Sequence, residues 1–441
     1  MIDWQGIATA LAELVAKGPA ARLVSLSVPL PRWPAVAPEA AGDWCFWQRP
    51  DQGLRLAGAG IALAATSAGE GRFAALAAAQ RGLLAGWRYT GAPPRAFAGF
   101  AFAPEGGAPL PNARLWVPEL LLGETAGRVS LTLSCAAERA HAAPARWQAL
   151  WNELCRPQPG QCVTLPRARL VARPAQLAEQ AFLARGRAAL AAIAAGRADK
   201  LVLTRSLQFS GRLAPPAAPL LDTLARHHPA CATFAVGGSG WSFVGASPET
   251  LLALEGSRVA VDALAGTAWQ SAARALGDDK NRREHDLVVH AIAQALGEHC
   301  QDVVLPPTPE IMELEGLSHL RRRLLARRPP GLGAFELIAR LHPTPAVGGA
   351  PTPAALDWLA HHHDTRGAWY TGGFGWLDAA GDADIAVCLR CGLIEGERIT
   401  LYAGAGFVAG SDPAQELAET EAKLAAMRAA LLASQQEQAA A

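Results

Sequence analysis

Helix-like and strand-like hydrophobic segments both occur along the chain, separated by turn clusters, and the length of the chain allows one large α/β (α+β) domain. An alanine-rich amphipathic helix is predicted from residue 175 to Gly196, where the glycine closes it. A strand pattern then begins at Lys200 and places Val202 and Thr204 on the same face as the lysine. Further strand-like segments follow, separated by short glycine-rich turns, and these predict antiparallel neighbours in a sheet.

One strand-like segment, WSFVGASPETLLALEG, is interrupted by Ser247-Pro248-Glu249. Proline cannot donate to a sheet ladder, so sheet hydrogen bonding is expected to lapse at Glu249. The apolar residues on both sides of Glu249 favour a protonated carboxyl that can donate a proton. The alternative is a glutamate exposed at the sheet edge. Lys200 raises the same choice: it is a usable base if it points inward, or a solvated lysine at the edge of the sheet.

Near the carboxyl terminus, a short apolar run becomes rich in small residues at Gly404, Ala405 and Gly406. Small residues there allow a ligand to approach the backbone closely. The following Ser411-Asp412-Pro413 predicts a helix start, with a capping side chain and a proline in the first turn.

Glu416, Glu419 and Lys423 fall on one face of that predicted helix. Two carboxylates three residues apart repel each other unless a cation lies between them, and Mg²⁺ held by oxygens is one such cation. The alternative is a solvated helix face on which Glu419 pairs with Lys423.

Composition narrows the functional class. The 441 residues are 51% hydrophobic, which allows a large core and excludes global disorder. Lys and Arg number 40 against 39 Asp and Glu, so no global polycation suggests nucleic acid. No apolar run reaches membrane-spanning length, and the first residues resemble an amphipathic helix rather than a signal peptide. We therefore expect a cytoplasmic protein, monomeric or homodimeric, with no nucleic-acid or membrane partner.

Two clusters of residues have both a functional and a purely structural interpretation. Cys388-x-x-Cys391 has the spacing of a zinc or redox site, but the sequence has no second CxxC, and we expect two buried thiols in a strand. The arginines between residues 321 and 328 fit either a solvated helix face or an RNA site, and we expect the helix face.

Several motifs occur together, in order and with characteristic spacing, between about residues 175 and 425. They are KLVLTR from Lys200, FVGASPETL around Glu249, ALAGT at 263–267, Asp279-Lys280 with Glu284-His285, Ser318-His319-Leu320, LHPTP at 341–345, Tyr370-x-Gly372, Arg390, and the AGAG-to-lysine stretch that ends at Lys423. This set resembles the chorismate-utilising enzymes, which include isochorismate, salicylate, anthranilate and aminodeoxychorismate synthases.

The resemblance implies one large domain of two layered, largely antiparallel sheets, with helices outside and the site in a central cleft. Residues 1–165 would be a scaffold within the same fold. Residues 166–430 would form the chorismate-binding catalytic region, and residues 431–441 a disordered tail.

The resemblance also implies roles for individual residues. Lys200 is similar to the general base and Glu249 to the general acid, and the ligands of Mg²⁺ would be Glu284, Glu416 and Glu419. The substrate site would comprise Gly266, Thr267, His319, Thr344, Tyr370, Arg390, Gly404, Ala405, Gly406 and Lys423. Tyr370 and Arg390 resemble the pair that grips the enolpyruvyl carboxylate, and arginine suits such planar recognition.

Two positions indicate the subfamily. Anthranilate-type members typically carry a non-basic residue where this chain has Lys200, because ammonia is their nucleophile. Ala263 stands where salicylate synthases usually have proline. The resemblance therefore favours an isomerase, isochorismate synthase, in menaquinone or siderophore biosynthesis. A salicylate synthase and a chorismate-binding protein without catalysis remain as alternatives.

The chain also departs from the family pattern. Asn281 replaces a carboxylate found in several relatives, one residue is added between Arg366 and Tyr370, and His361-His362-His363 stands where relatives often have Glu. Consecutive histidines converge on one metal ion only with difficulty, so a metal role for them is the weaker interpretation.

Overall fold

The protein is described here from a computed structural model, which covers residues 2–17, 21–156, 171–172, 176–210, 217–314, 316–362 and 366–440. The α-helices are α1 (Trp4–Ala16), α2 (Arg72–Gly86), α3 (Ala143–Leu154), α4 (Gln176–Ala194), α5 (Ala217–His227), α6 (Asp279–Gly297), α7 (Ala334–Leu341), α8 (Thr352–His361) and α9 (Pro413–Ala440). Short 3₁₀ turns lie at Pro38–Ala41, Pro50–Gln52, Ala137–Arg139 and Gln270–Gly277.

The strands of the amino-terminal part are β1 (Leu23–Leu30), β2 (Trp44–Arg49), β3 (Leu54–Ala59), β4 (Leu63–Ser67), β5 (Trp87–Thr90), β6 (Arg95–Phe100), β7 (Ala113–Val117), β8 (Leu120–Thr125) and β9 (Arg128–Ala136). Those that follow are β10 (Val171–Ala172), β11 (Lys200–Ser210), β12 (Ala232–Gly238), β13 (Trp241–Ser247), β14 (Thr250–Glu255), β15 (Arg258–Trp269), β16 (Gln301–Val304), β17 (Glu310–Leu314), β18 (Leu317–Arg327), β19 (Gly349–Ala350), β20 (Gly373–Asp378), β21 (Ala383–Val387), β22 (Cys391–Glu395) and β23 (Arg398–Val408).

These strands form two large sheets. The first has 13 strands in the order β10-β11-β23-β22-β13-β12-β2-β3-β8-β9-β1-β5, with β19 added beside β11. The second has 10 strands in the order β16-β18-β15-β14-β21-β20-β6-β7-β4, with β17 added beside β18. Among the described strands all pairs are antiparallel except β1 with β5. The predicted fold class, two layered and largely antiparallel sheets, is confirmed.

The two sheets face each other across an aromatic core. Trp47 and Phe234 of the first sheet contact Phe374 of the second, with ring centroids 6.0 and 5.8 Å apart. Helices α1, α3, α5 and α9 pack their apolar faces on the far side of the first sheet. Helices α2, α6 and α7 pack similarly against the second. The helices therefore lie outside, as expected.

Strands of the amino-terminal third belong to both sheets. Strand β2 pairs with β12 in the first sheet, and β6 pairs with β20 in the second. Residues before 157 and residues after it therefore form the same two sheets. The predicted boundary at 165/166 lies outside the described residues. Helix α9 continues to Ala440, and Leu431 is buried, so residues 431–440 are helical where the sequence predicted a disordered tail.

Two predicted helix ends are confirmed. Gly196 has φ +67°, and its amide donates to the carbonyl of Ile193 just beyond α4. Helix α9 begins at Pro413, where Asp412 Oδ1 accepts a hydrogen bond from the amide of Ala414 at 3.0 Å.

Two other predictions were wrong. The segment WSFVGASPETLLALEG is not one interrupted strand of a single antiparallel sheet, because β13 lies in the first sheet and β14 in the second. The arginines of residues 321–327 lie on strand β18, not on a helix, because β18 pairs with β15 on one side and with β16 and β17 on the other. They are used within the protein: Arg321 pairs with Asp262 at 3.0 Å and Arg322 with Asp286 at 3.8 Å.

Within the described part of the chain, no helix has both the length and the apolar character needed to cross a membrane.

Candidate active site

Two of the points at which the chain passes from one sheet to the other are adjacent, and both carry predicted site residues. The first crossing, Pro248-Glu249, joins β13 to β14, and the second, residues 388–390, joins β21 to β22. The crossings bond to each other: the amide of Val387 donates to the carbonyl of Glu249, and the amide of Ala246 donates to that of Arg390. Arg390 has φ +46°, a conformation that non-glycine residues rarely adopt without surrounding support.

A cleft of about 710 Å³, including the space at its mouth, opens beside these crossings. Most of the predicted site residues line it, namely Glu249, Gly266, Thr267, Glu284, His319, Tyr370, Arg390, Gly404, Ala405, Gly406, Glu419 and Lys423. They come from both sheets and from helices α6 and α9. Residues as far apart in sequence as Glu249 and Lys423 therefore share one concave surface of the size usual for small-molecule sites.

Glu249 is buried rather than exposed at an edge. Its side chain is 2% exposed, and its Oε1 has no hydrogen-bond partner among the described residues. Burial raises the pKa of Glu249 to about 8, with a further increase from the charge of Asp262, and Lys200 and Lys423 offset only part of this. The expected protonated carboxyl at neutral pH is supported.

Lys200 is also buried, with 1% of its side chain exposed, and it is not at a sheet edge because β19 and β23 flank it. Its ammonium lies 3.1 Å from Glu284 Oε1. Lys200 does not line the cleft itself; it lies behind Glu284, which does. A role for Lys200 as base therefore requires the pair with Glu284 to separate.

The small residues of β23 are required by close packing as much as by a ligand. A Cβ added to Gly406 would lie 2.4 Å from Glu284 Oε1 and 3.0 Å from Lys200 Cε. A Cβ added to Gly404 would lie 2.9 Å from the carbonyl of Leu203. Glycine at 406 is therefore what allows the Lys200–Glu284 pair to lie against the strand.

A hydrogen-bonded chain crosses the cleft wall. Arg390 approaches His319 Nε2 at 3.5 Å, His319 Nδ1 lies 3.1 Å from the hydroxyl of Thr267, and that hydroxyl donates to Glu419 at 3.1 Å. Burial, together with the charges of Lys423 and Arg390, lowers the pKa of His319 well below its usual value. The neutral ring, with Nδ1 as donor and Nε2 as acceptor, fits both neighbours.

Helix α9 presents Glu416, Glu419 and Lys423 on one face, as predicted. Glu419 and Lys423 pair at 2.6 Å, which is the contact expected for a solvated face, but both side chains line the cleft. Glu416 is 2% exposed and pairs instead with Lys280 at 2.5 Å. Burial and the neighbouring Glu419 raise the pKa of Glu416. The pair between Glu419 and Lys423 that the alternative predicted is therefore present, but this face of α9 lines the cleft.

The three carboxylates fit a divalent cation by donor chemistry, since carboxylate oxygens are the ligands that Mg²⁺ prefers. As they stand, no three acidic, histidine or cysteine side chains of the described residues are arranged to hold a metal ion. The ammonium of Lys280 already lies among these carboxylates. Burial lowers the pKa of Lys280. The charges of Glu416, Glu284 and Glu419 raise this pKa by more, so the net shift is upward. The space between these three carboxylates therefore accommodates a cation.

Some predicted residues lie elsewhere. Thr344 is 1% exposed, its hydroxyl has no partner among the described residues, and it stands behind Ala346 and Val347, which line the cleft in its place. Asn281 is no metal ligand here: its Oδ1 accepts from the amide of Thr267, and its amide donates to the carbonyl of Ala275.

The described residues of the histidine and cysteine motifs make other contacts. His362 stacks on Trp358 at 3.7 Å, and His361 Nδ1 bonds the carbonyl of Asp357; His363 lies outside the described residues. Cys388 and Cys391 are buried free thiols.

The pattern of a chorismate binding enzyme matches residues 10–432 of the chain. The chain belongs to that family. The match covers the amino-terminal scaffold and the cleft together, so the family assignment applies to the whole two-sheet fold.

Two curated members of the family show how similar their sequences are to this chain. The chain is 36% identical over 244 residues to an isochorismate synthase of Bacillus subtilis and 38% identical over 255 residues to a salicylate biosynthesis isochorismate synthase of Pseudomonas aeruginosa. These alignments cover 53 and 56% of this chain and 51 and 53% of the relatives, so the chain spans about half the length of the curated relatives it matches.

Solved structures agree along the full fold. The menaquinone-specific isochorismate synthase of Escherichia coli superposes with a TM-score of 0.78 at 26% identity, covering 97% of this chain and 99% of that one. Anthranilate synthase component I from Streptococcus pneumoniae superposes with a TM-score of 0.63 at 20% identity, which shows the shared fold alone.

Sequence reasoning missed two features of the site in this chorismate-binding enzyme. Tyr402 lines the cleft and stacks on Tyr370, with ring centroids 5.3 Å apart; its place beside the small residues of β23 was the available signal. Lys280 was recognised as part of a motif but given no role, because its contact with Glu416 joins two distant helices.

Proposed function

We propose that this protein is a Mg²⁺-dependent isochorismate synthase that converts chorismate to isochorismate. The observation that supports this proposal is that one cleft brings together a buried carboxyl, Glu249, and a buried lysine, Lys200. Glu249 has its pKa raised to about 8, and Lys200 lies behind Glu284 at the same cleft. A protein that only bound chorismate would need neither group.

Binding of the dianionic substrate would use the cations of the cleft. Arg390 would hold one carboxylate by charge-assisted hydrogen bonds, with Tyr370 beside it and Lys423 as a further contact. Glu284, Glu416 and Glu419 would hold the metal ion, which would neutralise the ring carboxylate. The chain Arg390–His319–Thr267–Glu419 would keep both carboxylate sites in fixed relation.

The chemical step follows from the acid and the base. Lys200, as the neutral amine, takes a proton from water while the water oxygen forms a bond to C2. Glu249 gives its proton to the C4 hydroxyl, and the C4–O bond breaks as the ring double bonds shift. One water enters and one leaves, so the net reaction is an isomerisation. A cytoplasmic location is consistent with the seven described cysteines, which are all free thiols.

Chromatography of the products after incubation with chorismate and Mg²⁺ tests the proposal. Isochorismate formed reversibly, without dependence on ammonia and with little pyruvate, is the expected result. Stoichiometric pyruvate with salicylate would make the protein a salicylate synthase, and anthranilate formed with ammonia would overturn the role of Lys200. Binding of chorismate without any product would leave a non-catalytic binder.

A further inference from the structure

Each carboxylate assigned to the metal holds a different lysine in this structure. Glu284 pairs with Lys200 at 3.1 Å, Glu419 pairs with Lys423 at 2.6 Å, and Glu416 pairs with Lys280 at 2.5 Å. Three acids and three lysines thus form one cluster of paired side chains. A divalent cation entering this cluster would meet ammonium groups at the oxygens it needs.

The three lysines differ in their freedom to move. Lys200 is enclosed, with 1% of its side chain exposed. Lys423 is also tied to the carbonyl of Gly404, to which it donates at 2.8 Å. Lys280 lies in the first turn of α6, and 29% of its side chain is exposed, so its flexible stem can carry the ammonium into solvent.

Glu416 is the carboxylate that most needs a counter-ion. It is 2% exposed on α9, and Lys280 is its ion-pair partner. A buried carboxylate without a nearby cation is costly, and Lys280 supplies that cation to Glu416 in the metal-free protein. The ammonium and a divalent cation cannot share these oxygens without strong repulsion.

We propose that Lys280 is a displaceable counter-ion, whose ammonium satisfies Glu416 in the metal-free protein and moves into solvent when a divalent cation binds. This inference rests on the metal assignment of the proposed function. It makes Lys280 a positioning residue: its ammonium holds the buried Glu416 side chain in place for the metal, at the expense of metal affinity.

Binding of Mn²⁺ alone, followed by calorimetry without chorismate, tests the competition. Lys280→Met removes the ammonium, and we expect the association constant to rise about tenfold, as for loss of one charge-assisted contact that the metal must break. Arg282→Met is the matched control, since it removes a charge from an exposed position two residues away on α6, and we expect less than about a twofold change there. Equal affinity of the wild type and Lys280→Met would overturn the inference.

A crystal structure of the wild type with Mn²⁺ shows whether the Lys280 ammonium leaves Glu416 when the metal binds. This experiment does not depend on the folding of a variant. We expect anomalous density between the carboxylates, with Lys280 Nζ more than about 4 Å from both Glu416 oxygens. Lys280 still bonded to Glu416 beside bound Mn²⁺ would overturn the inference and leave the metal assignment standing. Failure of the wild type to bind Mn²⁺ would overturn both, while chorismate turnover would still test the reaction itself.

Discussion

At the scale of single residues, the account depends on the protonation of Glu249. Burial raises the pKa of this carboxyl to about 8, so the acid form is present below that pH and is lost as the pH rises through it. We expect kcat to fall about tenfold per pH unit well above pH 8. A pH profile of kcat, measured at saturating chorismate and Mg²⁺, checks this.

The matched variants for that profile are Glu249→Gln and Glu255→Gln. The first replaces the proton donor by an amide and should lower kcat by about 100-fold or more at every pH. The second changes an exposed glutamate at the far end of β14, the strand that follows Glu249, and should leave the profile unchanged. Retained activity in Glu249→Gln would remove the acid from the mechanism.

Binding of the substrate is also expected to depend on a single residue, Arg390. Arg390→Ala removes a charge-assisted contact worth about 1.5–3 kcal/mol, so we expect KM for chorismate to rise by about 10- to 150-fold. Arg398→Ala, at an exposed position of the neighbouring hairpin, is the control. Steady-state kinetics in which Arg390→Ala keeps the KM of the wild type would place the substrate carboxylate elsewhere.

Local sequence allowed some of these residue environments to be predicted. The apolar neighbours of Glu249 indicated a buried acid because burial there depends on residues adjacent in the chain. The pair between Lys280 and Glu416 could not be predicted in the same way. It joins the starts of α6 and α9, 136 positions apart, and only the folded chain brings them together.

At the scale of secondary structure elements, close packing between β23 and α6 holds the Lys200–Glu284 pair. Gly406→Ala would place a methyl group 2.4 Å from Glu284 Oε1, so the pair must shift. We expect kcat to fall at least about tenfold and stability to fall by about 1–3 kcal/mol. Kinetics and thermal melting measure both quantities.

Gly297→Ala is the control for that substitution, because a Cβ at this last residue of α6 meets nothing within 4 Å. We expect its activity and melting temperature to match the wild type. If Gly406→Ala behaved like Gly297→Ala, the packing of β23 would not be what positions the pair.

Element boundaries set by local chemistry were predictable, and element placement was not. The cap at Asp412 and the proline at 413 fixed the start of α9 in advance. Proline at 248 indicated an interruption, yet nothing nearby indicated that the strand resumes in the other sheet. Strand β18 was mistaken for a helix because its arginines form ion pairs with distant acids such as Asp262.

At the scale of the whole molecule, a buried ion pair links the two sheets close to Glu249. Arg49 at the end of β2 bonds both oxygens of Asp384 on β21, at 2.9 and 2.7 Å, and also donates to Thr250, the residue after Glu249. The pairing of β2 with β12 could not be predicted from the sequence. It places Arg49 beside Asp384 and Thr250, next to the candidate site.

Breaking that ion pair should destabilise the protein. Arg49→Met leaves Asp384 buried without its cation, and we expect a loss of about 3–5 kcal/mol in the free energy of unfolding. Arg81→Met, which breaks a more exposed pair with Glu336, should cost no more than about 1 kcal/mol. Urea unfolding compares the two, and similar losses would mean that Arg49 does not hold the sheets together.

The central claim is that water adds at one ring carbon while the hydroxyl leaves from another, and oxygen labelling tests it most directly. Wild-type enzyme is incubated briefly with chorismate and Mg²⁺ in water enriched in oxygen-18, and the product is analysed by mass spectrometry. The account predicts isochorismate that carries one labelled oxygen, at the C2 hydroxyl, and no such product from Lys200→Ala. Unlabelled isochorismate would contradict it, because the hydroxyl would then have moved without the water that Lys200 is proposed to activate.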